Sequence, residues 1–131
     1  MPERKSRRIL IVDDNVDAAE MFGELMELDG FKTRVAHDGA AAVVAAREFL
    51  PDVIFLDLGM PIMDGFEVAR ALRDDPSLKD CLIVALSGWD GPEDKRKTRE
   101  AGFHAHLAKP IKKSALDQVL ARIMKQAPLI S

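Results

Sequence analysis

The sequence predicts an α/β fold in which a five-stranded parallel sheet lies between two layers of helices. Short apolar runs rich in branched residues alternate along the chain with segments of helical periodicity. Three of these runs are apolar at every position, which is typical of strands buried on both faces of a parallel sheet. The other two runs are partly polar or short, as expected for the two edges.

The strands are predicted from these runs in chain order. Residues 9–12, 53–56 and 82–86 are apolar throughout and are assigned to the centre of the sheet. Residues 31–36 alternate between apolar and polar side chains, which predicts an edge strand with one solvated face. The short run 105–108 is assigned to the other edge. With right-handed crossovers, these assignments predict the strand order 2-1-3-4-5 of a flavodoxin-like (βα)5 three-layer sandwich.

The helices are predicted from periodicity and from signals at their ends. Asn15 is a candidate N-cap of the first helix, and Ser114 is a candidate N-cap of the last. Gly30 and Gly102 follow the first and fourth helices as stop signals. Helices are predicted over residues 15–29, 38–50, 65–75 and 92–101, and from residue 114 onward.

The composition indicates one globular domain. The chain has 131 residues, of which 47% are hydrophobic and 31% charged. Its net charge of −3 argues against a dedicated nucleic-acid binder. Cys81 is the only cysteine, which excludes an internal disulfide and a multi-cysteine metal site. No apolar run approaches the ~18 residues of a membrane span, and no signal peptide is recognised, so a cytoplasmic location is expected.

Polar residues follow four of the predicted strands, at the point where each strand ends. Asp13 and Asp14 follow the first strand, Asp57 the third, Ser87 the fourth and Lys109 the fifth. Ligands of open α/β sheets bind beyond the carboxyl ends of the strands, so these five side chains are expected to converge. Each alone has a plainer explanation, because an aspartate after a strand usually forms a turn or caps a helix. Their joint placement favours a site.

The residue types in this set suit phosphoryl transfer onto an aspartate. Clustered carboxylates repel one another, and a divalent cation such as Mg²⁺ relieves that repulsion through hard oxygen ligands. A carboxylate beside the cation can attack phosphorus and form an acyl phosphate. The Ser87 hydroxyl and the Lys109 ammonium could each stabilise one oxygen of the transferred group, and the metal a third.

Four stretches of the chain resemble receiver domains of two-component response regulators. They are Ile9-Leu-Ile-Val-Asp-Asp-Asn15, Val53-Ile-Phe-Leu-Asp-Leu-Gly-Met-Pro-Ile-Met-Asp-Gly65, Ala85-Leu-Ser-Gly88 and His106-Leu-Ala-Lys-Pro110. The resemblance extends from about residue 8 to residue 125 and includes single-domain regulators and receivers of hybrid histidine kinases. It implies a receiver domain over residues 8–126, with a basic lead-in over 1–7 and a loose tail over 127–131.

The resemblance also implies the acceptor and the metal ligands. Asp57 would accept the phosphoryl group. Asp14 and Asp57 would bind Mg²⁺, or Mn²⁺, through their carboxylates, and Gly59 would bind it through its backbone carbonyl. Asp13 would act mostly through a metal-bound water.

Further roles follow from the same resemblance. Ser87 would be the switch hydroxyl, and Lys109 would pair with a phosphoryl oxygen. The Lys109-Pro110 peptide bond would be cis. Gly65 would relieve backbone strain in the loop that enters the third helix.

Three positions depart from the family pattern. His106 stands where the family usually has a switch tyrosine or phenylalanine. Its ring either fills a pocket at the edge strand or makes the switch sensitive to pH. Gly59 and Trp89 occupy positions that influence hydrolysis of the acyl phosphate in the family. A bulky Trp89 and a Gly59 without a side chain predict slow self-dephosphorylation, although Trp89 could simply pack against its loop.

The resulting functional prediction is a phosphorylation-dependent switch that catalyses only its own phosphorylation and dephosphorylation. Its expected partners are a histidine kinase, a histidine phosphotransfer protein, or both. A homodimer through the face of helix 4, strand 5 and helix 5 is a further expectation, with Trp89, Phe103 and His106 on that face. A solvated basic face is an equal alternative. Few residues follow the last helix, so no DNA-binding domain is expected in this chain.

Other functions remain as alternatives. A pseudo-receiver docking module would lack an acid, the hydroxyl or the lysine, and none is missing here. A phosphohydrolase of the haloacid-dehalogenase kind would need a second aspartate two residues after the nucleophile, where this chain has Gly59. A flavin-binding protein would need a Ser/Thr/Gly-rich phosphate loop after the first strand.

Overall fold

The computed structural model describes residues 7–89 and 91–126, with side chains described as far as residue 122. The predicted tail and nearly all of the predicted lead-in lie outside these residues. The strands are β1 (Arg8–Val12), β2 (Lys32–Ala36), β3 (Val53–Asp57), β4 (Leu82–Ser87) and β5 (Ala105–Ala108). The helices are α1 (Val16–Leu28), α2 (Gly39–Phe49), α3 (Gly65–Arg73), α4 (Pro92–Glu100) and α5 (Lys113–Gln126). A short 3₁₀ turn, Pro76–Leu78, follows α3.

The strands form one parallel sheet in the order β2-β1-β3-β4-β5, which confirms the predicted flavodoxin-like topology. The central strands carry apolar side chains on both faces because a separate core lies on each side. Leu10 and Ile54 belong to the core beneath α2 and α3. Ile9 and Phe55 belong to the core beneath α1 and α5, where Phe22 packs edge-on against Phe55 at 4.9 Å between ring centroids. No helix among the described residues is long and apolar enough to cross a membrane.

The helix ends follow the capping signals in most places. The Asn15 side chain accepts a hydrogen bond from the Ala18 N–H at 3.1 Å and begins α1, as predicted. Gly30 and Gly102 have φ angles of 97° and 94°, in the left-handed region that glycine tolerates. At the entrance of α3, Asp64 accepts from the Glu67 N–H while Glu67 accepts from the Asp64 N–H, a reciprocal capping box.

Two sequence predictions about the C-terminal half of the chain are wrong. Helix α5 begins at Lys113, and the Leu116 N–H donates to the Lys112 carbonyl at 3.0 Å, so Ser114 lies inside the first turn and does not cap it. Phe103 is buried rather than part of an exposed face, and it packs edge-on against Phe66 at 5.7 Å. Its apolar ring is more stable inside the α3 side of the core than in water.

Candidate functional site

The five polar residues predicted to converge do lie together at the carboxyl edge of the sheet. Asp57 and Ser87 are the last residues of β3 and β4, while Asp13 and Lys109 directly follow β1 and β5. One oxygen from each of Asp13, Asp14 and Asp57 lies within 4.8 Å of the others. Four parallel strands thus place residues from four distant parts of the chain on one rim.

Two of the three carboxylates are buried. Asp13 is 4% exposed and Asp57 is 6% exposed, whereas Asp14 is open to solvent. The backbone orients both buried groups: the Asn15 N–H donates to Asp13 Oδ1 and the Gly59 N–H donates to Asp57 Oδ1, each at 3.0 Å. These bonds leave the second oxygen of each carboxylate directed at a common partner.

That common partner is the Lys109 ammonium. Its Nζ lies 3.0 Å from Asp13 Oδ2 and 3.2 Å from Asp57 Oδ2. Burial works against the charge of Lys109, but its hydrogen bonds and ion pairs with the two carboxylates outweigh burial and raise its pKa. The Lys109 N–H also donates to the Ser87 carbonyl at 2.8 Å, and the Lys109-Pro110 bond is cis, as the resemblance implied.

The charges of the cluster do not balance. Burial raises the pKa of Asp57, and the negative charge of Asp13 raises it further, against the opposing effects of the Gly59 N–H and the Lys109 ammonium. The cluster has three carboxylates, and the one ammonium in it pairs with two of them, so negative charge is in excess. Three hard oxygen donors within 4.8 Å of one another fit a divalent cation such as Mg²⁺, which binds through few carboxylates and retains water.

A cleft of about 470 Å³ opens above Asp57. The predicted site residues Gly59, Ser87, Trp89 and Lys109 line it together with Asp57. Sequence reasoning missed the other lining residues, which are Leu58, Phe66, Gly88, Asp94 and Lys97. No strand-end signal marks Asp94 and Lys97, because they reach the cleft from α4.

The two loop glycines differ in whether their positions could accept a side chain. A Cβ atom on Gly65 would lie 2.7 Å from the Asp57 carbonyl oxygen, so only glycine allows this approach. Gly65 has no positive φ angle, so glycine is needed here for the close approach to Asp57 and not for a left-handed backbone. A Cβ atom on Gly59 would meet nothing closer than Asp57 Oδ1 at 3.7 Å, so this position has room for a side chain.

His106, at the predicted switch position, is within hydrogen-bond distance of the Trp89 backbone and of Thr98. His106 is half-buried in β5, and its Nε2 lies 2.9 Å from the Trp89 carbonyl oxygen. Its Nδ1 lies 3.1 Å from Oγ1 of Thr98, a residue that is 2% exposed. The Trp89 side chain itself is 76% exposed at the rim of the cleft. Thr98 was missed, although it is the one uncharged side chain after the first residue of α4.

Known proteins share both the sequence pattern and the fold. The family model of the response regulator receiver domain matches residues 9–121. The polar-differentiation response regulator DivK of Brucella anthropi is 32% identical over 105 residues, which are 80% of this chain and 85% of DivK. The response regulator PleD of Caulobacter vibrioides is 38% identical over 106 residues, 81% of this chain and 23% of PleD.

Solved structures give the same result. The chemotaxis protein CheY4 of Vibrio cholerae superposes with a TM-score of 0.85 at 30% identity, covering 91% of this chain and 99% of CheY4. The receiver domain of a sensor histidine kinase from Pseudomonas aeruginosa, which has a magnesium ion coordinated in its active-site cleft, has a TM-score of 0.81 at 27% identity, with 92% and 99% covered.

The fold and the acidic rim define a receiver-type signalling domain. This chain belongs to the response regulator receiver domain family. The predictions of a receiver and of two-component signalling are confirmed, and the family supports phosphorylation-dependent signalling with histidine kinase or phosphotransfer partners.

Proposed function

We propose that this chain is a switch that accepts a phosphoryl group on Asp57 from a histidine kinase or a histidine phosphotransfer protein. One observation carries the proposal: the buried Asp57 carboxylate lies in a cleft with Ser87 and with Lys109 at 3.2 Å, and one oxygen from each of two further aspartates lies within 4.8 Å of it. A purely structural aspartate has no need of this set. The position is the one that the family resemblance assigns to the acceptor.

The transfer step uses groups that the chain already holds in place. A carboxylate oxygen of Asp57 attacks phosphorus, so an O–P bond forms while the N–P bond of the phosphohistidine breaks. The imidazole leaves with the electron pair of that bond and takes up a proton. The Lys109 ammonium and the Ser87 hydroxyl stabilise charge on the phosphoryl oxygens. Hydrolysis of the acyl phosphate resets the switch, and no other substrate is converted.

The metal ligands in this proposal are the carboxylates of Asp14 and Asp57, the backbone carbonyl of Gly59 and, mostly through water, Asp13. Bound Mg²⁺ or Mn²⁺ would supply positive charge to the acceptor and the transferred group. The excess negative charge of the cluster and the magnesium ion in the Pseudomonas aeruginosa relative both support this assignment.

The readout surface in this proposal is the face of α4, β5 and α5, recognised by a partner or by a second copy of the chain. His106 and Trp89 connect this face to the cleft. The exposed part of α4 is strongly charged, and Arg96 forms ion pairs with Glu93 and Glu100. A partner would therefore recognise charge rather than an apolar patch.

Intact mass spectrometry tests the proposal directly. The full chain is incubated with acetyl phosphate in the presence and absence of Mg²⁺, and separately with a phosphorylated histidine phosphotransfer protein. We expect a gain of one phosphoryl group that requires Mg²⁺ and is lost in Asp57→Asn. Asp80→Asn, an exposed carboxylate before β4, is the matched control and should be phosphorylated normally. No gain from either donor would contradict the proposal and favour a docking module.

A further inference from the structure

A chain of hydrogen bonds runs from Ser87 to helix α4. The Trp89 N–H donates to Ser87 Oγ at 3.0 Å, and the Trp89 carbonyl oxygen lies 2.9 Å from Nε2 of His106. The second ring nitrogen, Nδ1, lies 3.1 Å from Thr98 Oγ1, which itself lies 2.9 Å from the Lys95 carbonyl oxygen. The backbone of one residue, Trp89, thus joins the hydroxyl in the cleft to the edge strand and to α4.

The chemistry of the partners assigns a proton on the ring. A carbonyl oxygen only accepts, so the Nε2 atom that faces Trp89 carries a hydrogen. The Thr98 hydroxyl can donate to a bare Nδ1, or it can accept from a protonated Nδ1 while donating to the Lys95 carbonyl. The bond to Trp89 is therefore kept in both charge states of His106.

The Thr98 hydroxyl is buried, so it depends on the protein for its hydrogen-bond partners. Thr98 is 2% exposed, although most of its neighbours on α4 are charged and exposed. A buried hydroxyl without a partner costs stability, and Thr98 Oγ1 lies within hydrogen-bond distance of both His106 Nδ1 and the Lys95 carbonyl oxygen, so in either charge state of the ring it has a partner. Two polar bonds, rather than packing alone, set the place of the switch residue.

We infer that His106 and Thr98 form a hydrogen-bonded latch that fastens the loop carrying Trp89 to α4, with Thr98 as a positioning residue. The latch itself needs no phosphoryl group. Its role in signalling rests on the proposed function: a phosphoryl group on Asp57 would attract the Ser87 hydroxyl, and the displacement would pass through the Trp89 N–H to the latch and to α4.

The first test reads the ring nitrogens of the unphosphorylated full chain by ¹⁵N NMR. We expect the neutral His106 ring to carry its hydrogen on Nε2. His104 is the internal reference for a neutral ring, because the Ile83 N–H donates to its Nδ1 at 3.0 Å and burial lowers its pKa. A hydrogen on Nδ1 alone, with Nε2 bare towards the Trp89 carbonyl, would overturn the latch.

The second test removes one hydroxyl. In Thr98→Val the latch loses its polar anchor, and hydrogen exchange at the Trp89 amide should accelerate about fivefold, as expected for one lost hydrogen bond. Thr98→Ser keeps the hydroxyl and should exchange at the wild-type rate. Equal rates in Thr98→Val and wild type would contradict the latch. If Thr98→Val does not fold, the ring-nitrogen spectra of the wild type decide.

The third test separates the latch from the phosphorylation step. Wild type and Thr98→Val are both phosphorylated with acetyl phosphate and Mg²⁺, and phosphorylation is checked by mass. We expect equal phosphoryl gain, with amide shift changes along α4 reduced to about half or less in the variant. Full shift changes in Thr98→Val would overturn the coupling. If neither protein gains mass, the proposed function fails, while the first two tests still judge the latch.

Discussion

Two residues that line the cleft above Asp57, Gly59 and Trp89, are the predicted modulators of acyl phosphate hydrolysis. Gly59 leaves open space beside the carboxylate, since an added Cβ would come no closer than 3.7 Å to Asp57 Oδ1. Trp89 lines the same cleft, and its ring is largely exposed at the entrance. Gly59 therefore offers no side chain to orient a water molecule, and the indole is the bulkiest side chain that lines the cleft.

We expect Trp89→Ala to shorten the lifetime of phosphorylated Asp57. Removal of the indole opens the cleft to attacking water, and a gain of about threefold in the hydrolysis rate corresponds to roughly 0.7 kcal/mol of activation free energy. The measurement is the loss of the phosphorylated species with time by intact mass. Leu28→Ala, an exposed apolar residue at the far end of α1, serves as control. An unchanged rate in Trp89→Ala would show that the ring does not screen the acyl phosphate.

Site residues at the ends of strands could be predicted from the sequence. Site residues defined by a contact between two distant elements could not. Asp57 and Ser87 each close an apolar run, so the sequence pattern alone marks them. Thr98 has no such mark, because its burial depends on how α4 lies against β5. Its contact with His106 becomes visible only when both elements are in place.

Helix α1 has an apolar stripe that the domain core does not cover. Met21, Leu25 and Leu28 are 65%, 51% and 83% exposed and follow one another at helical spacing. They line a groove of about 500 Å³ between α1 and α5, and the groove reaches Asp13 and Lys109 in the acidic cluster. A partner lying in this groove would be close to Asp57, the proposed acceptor, because Lys109 lies 3.2 Å from that carboxylate.

We expect Met21→Ser and Leu25→Ser to slow phosphoryl transfer from a histidine phosphotransfer protein about tenfold, because each removes apolar contact area from the partner. Phosphorylation by acetyl phosphate should be unaffected, since this small donor needs no groove. Val44→Ser, a comparably exposed position on α2, is the control. Parallel losses with both donors would place the defect in the acceptor chemistry, and no loss with the protein donor would exclude docking on α1.

Among the helices, the start of α1, which a side chain caps, could be predicted from the sequence. The start of α5, where a backbone carbonyl accepts the first hydrogen bond, could not. Asn15 marks the start of α1 in the sequence because it is a favoured N-cap residue, and its amide oxygen accepts a hydrogen bond from the Ala18 N–H. The start of α5 depends on the Lys112 carbonyl, which every residue type possesses, so the sequence pointed to Ser114 instead. The edge strands were recognised because Lys32 and Arg34 give β2 a solvated face.

The whole molecule brings together groups that the chain keeps far apart. The ion pair between Lys109 and Asp13 joins residues 96 positions apart, and it exists only because β1 and β5 end at the same rim. The strand order was predictable, since fully apolar runs belong in the centre and polar or short ones at the edges. The balance of charge in the cluster at the carboxyl edge of the sheet could not be predicted, because it depends on burial and on distances between side chains.

That charge balance opposes folding stability when no cation is bound. Burial and the charge of Asp13 raise the pKa of Asp57 above its unfolded value of 3.8. A group whose pKa is raised by folding favours the folded state while it is protonated, so its contribution is lost as pH rises from about 3.8 through the folded-state pKa. Once ionised, above its folded-state pKa, Asp57 therefore lowers the free energy of unfolding.

We expect Asp57→Asn to raise the thermal unfolding midpoint by a few degrees at neutral pH in the presence of a chelator, because the amide keeps the size of the side chain and removes the charge. Mg²⁺ should raise the midpoint of the wild type by mass action and have little effect on Asp57→Asn. Asp80→Asn, outside the cluster, should behave like wild type. Calorimetry at several Mg²⁺ concentrations measures all three proteins. A wild-type midpoint that does not respond to Mg²⁺ would contradict cation binding at this rim.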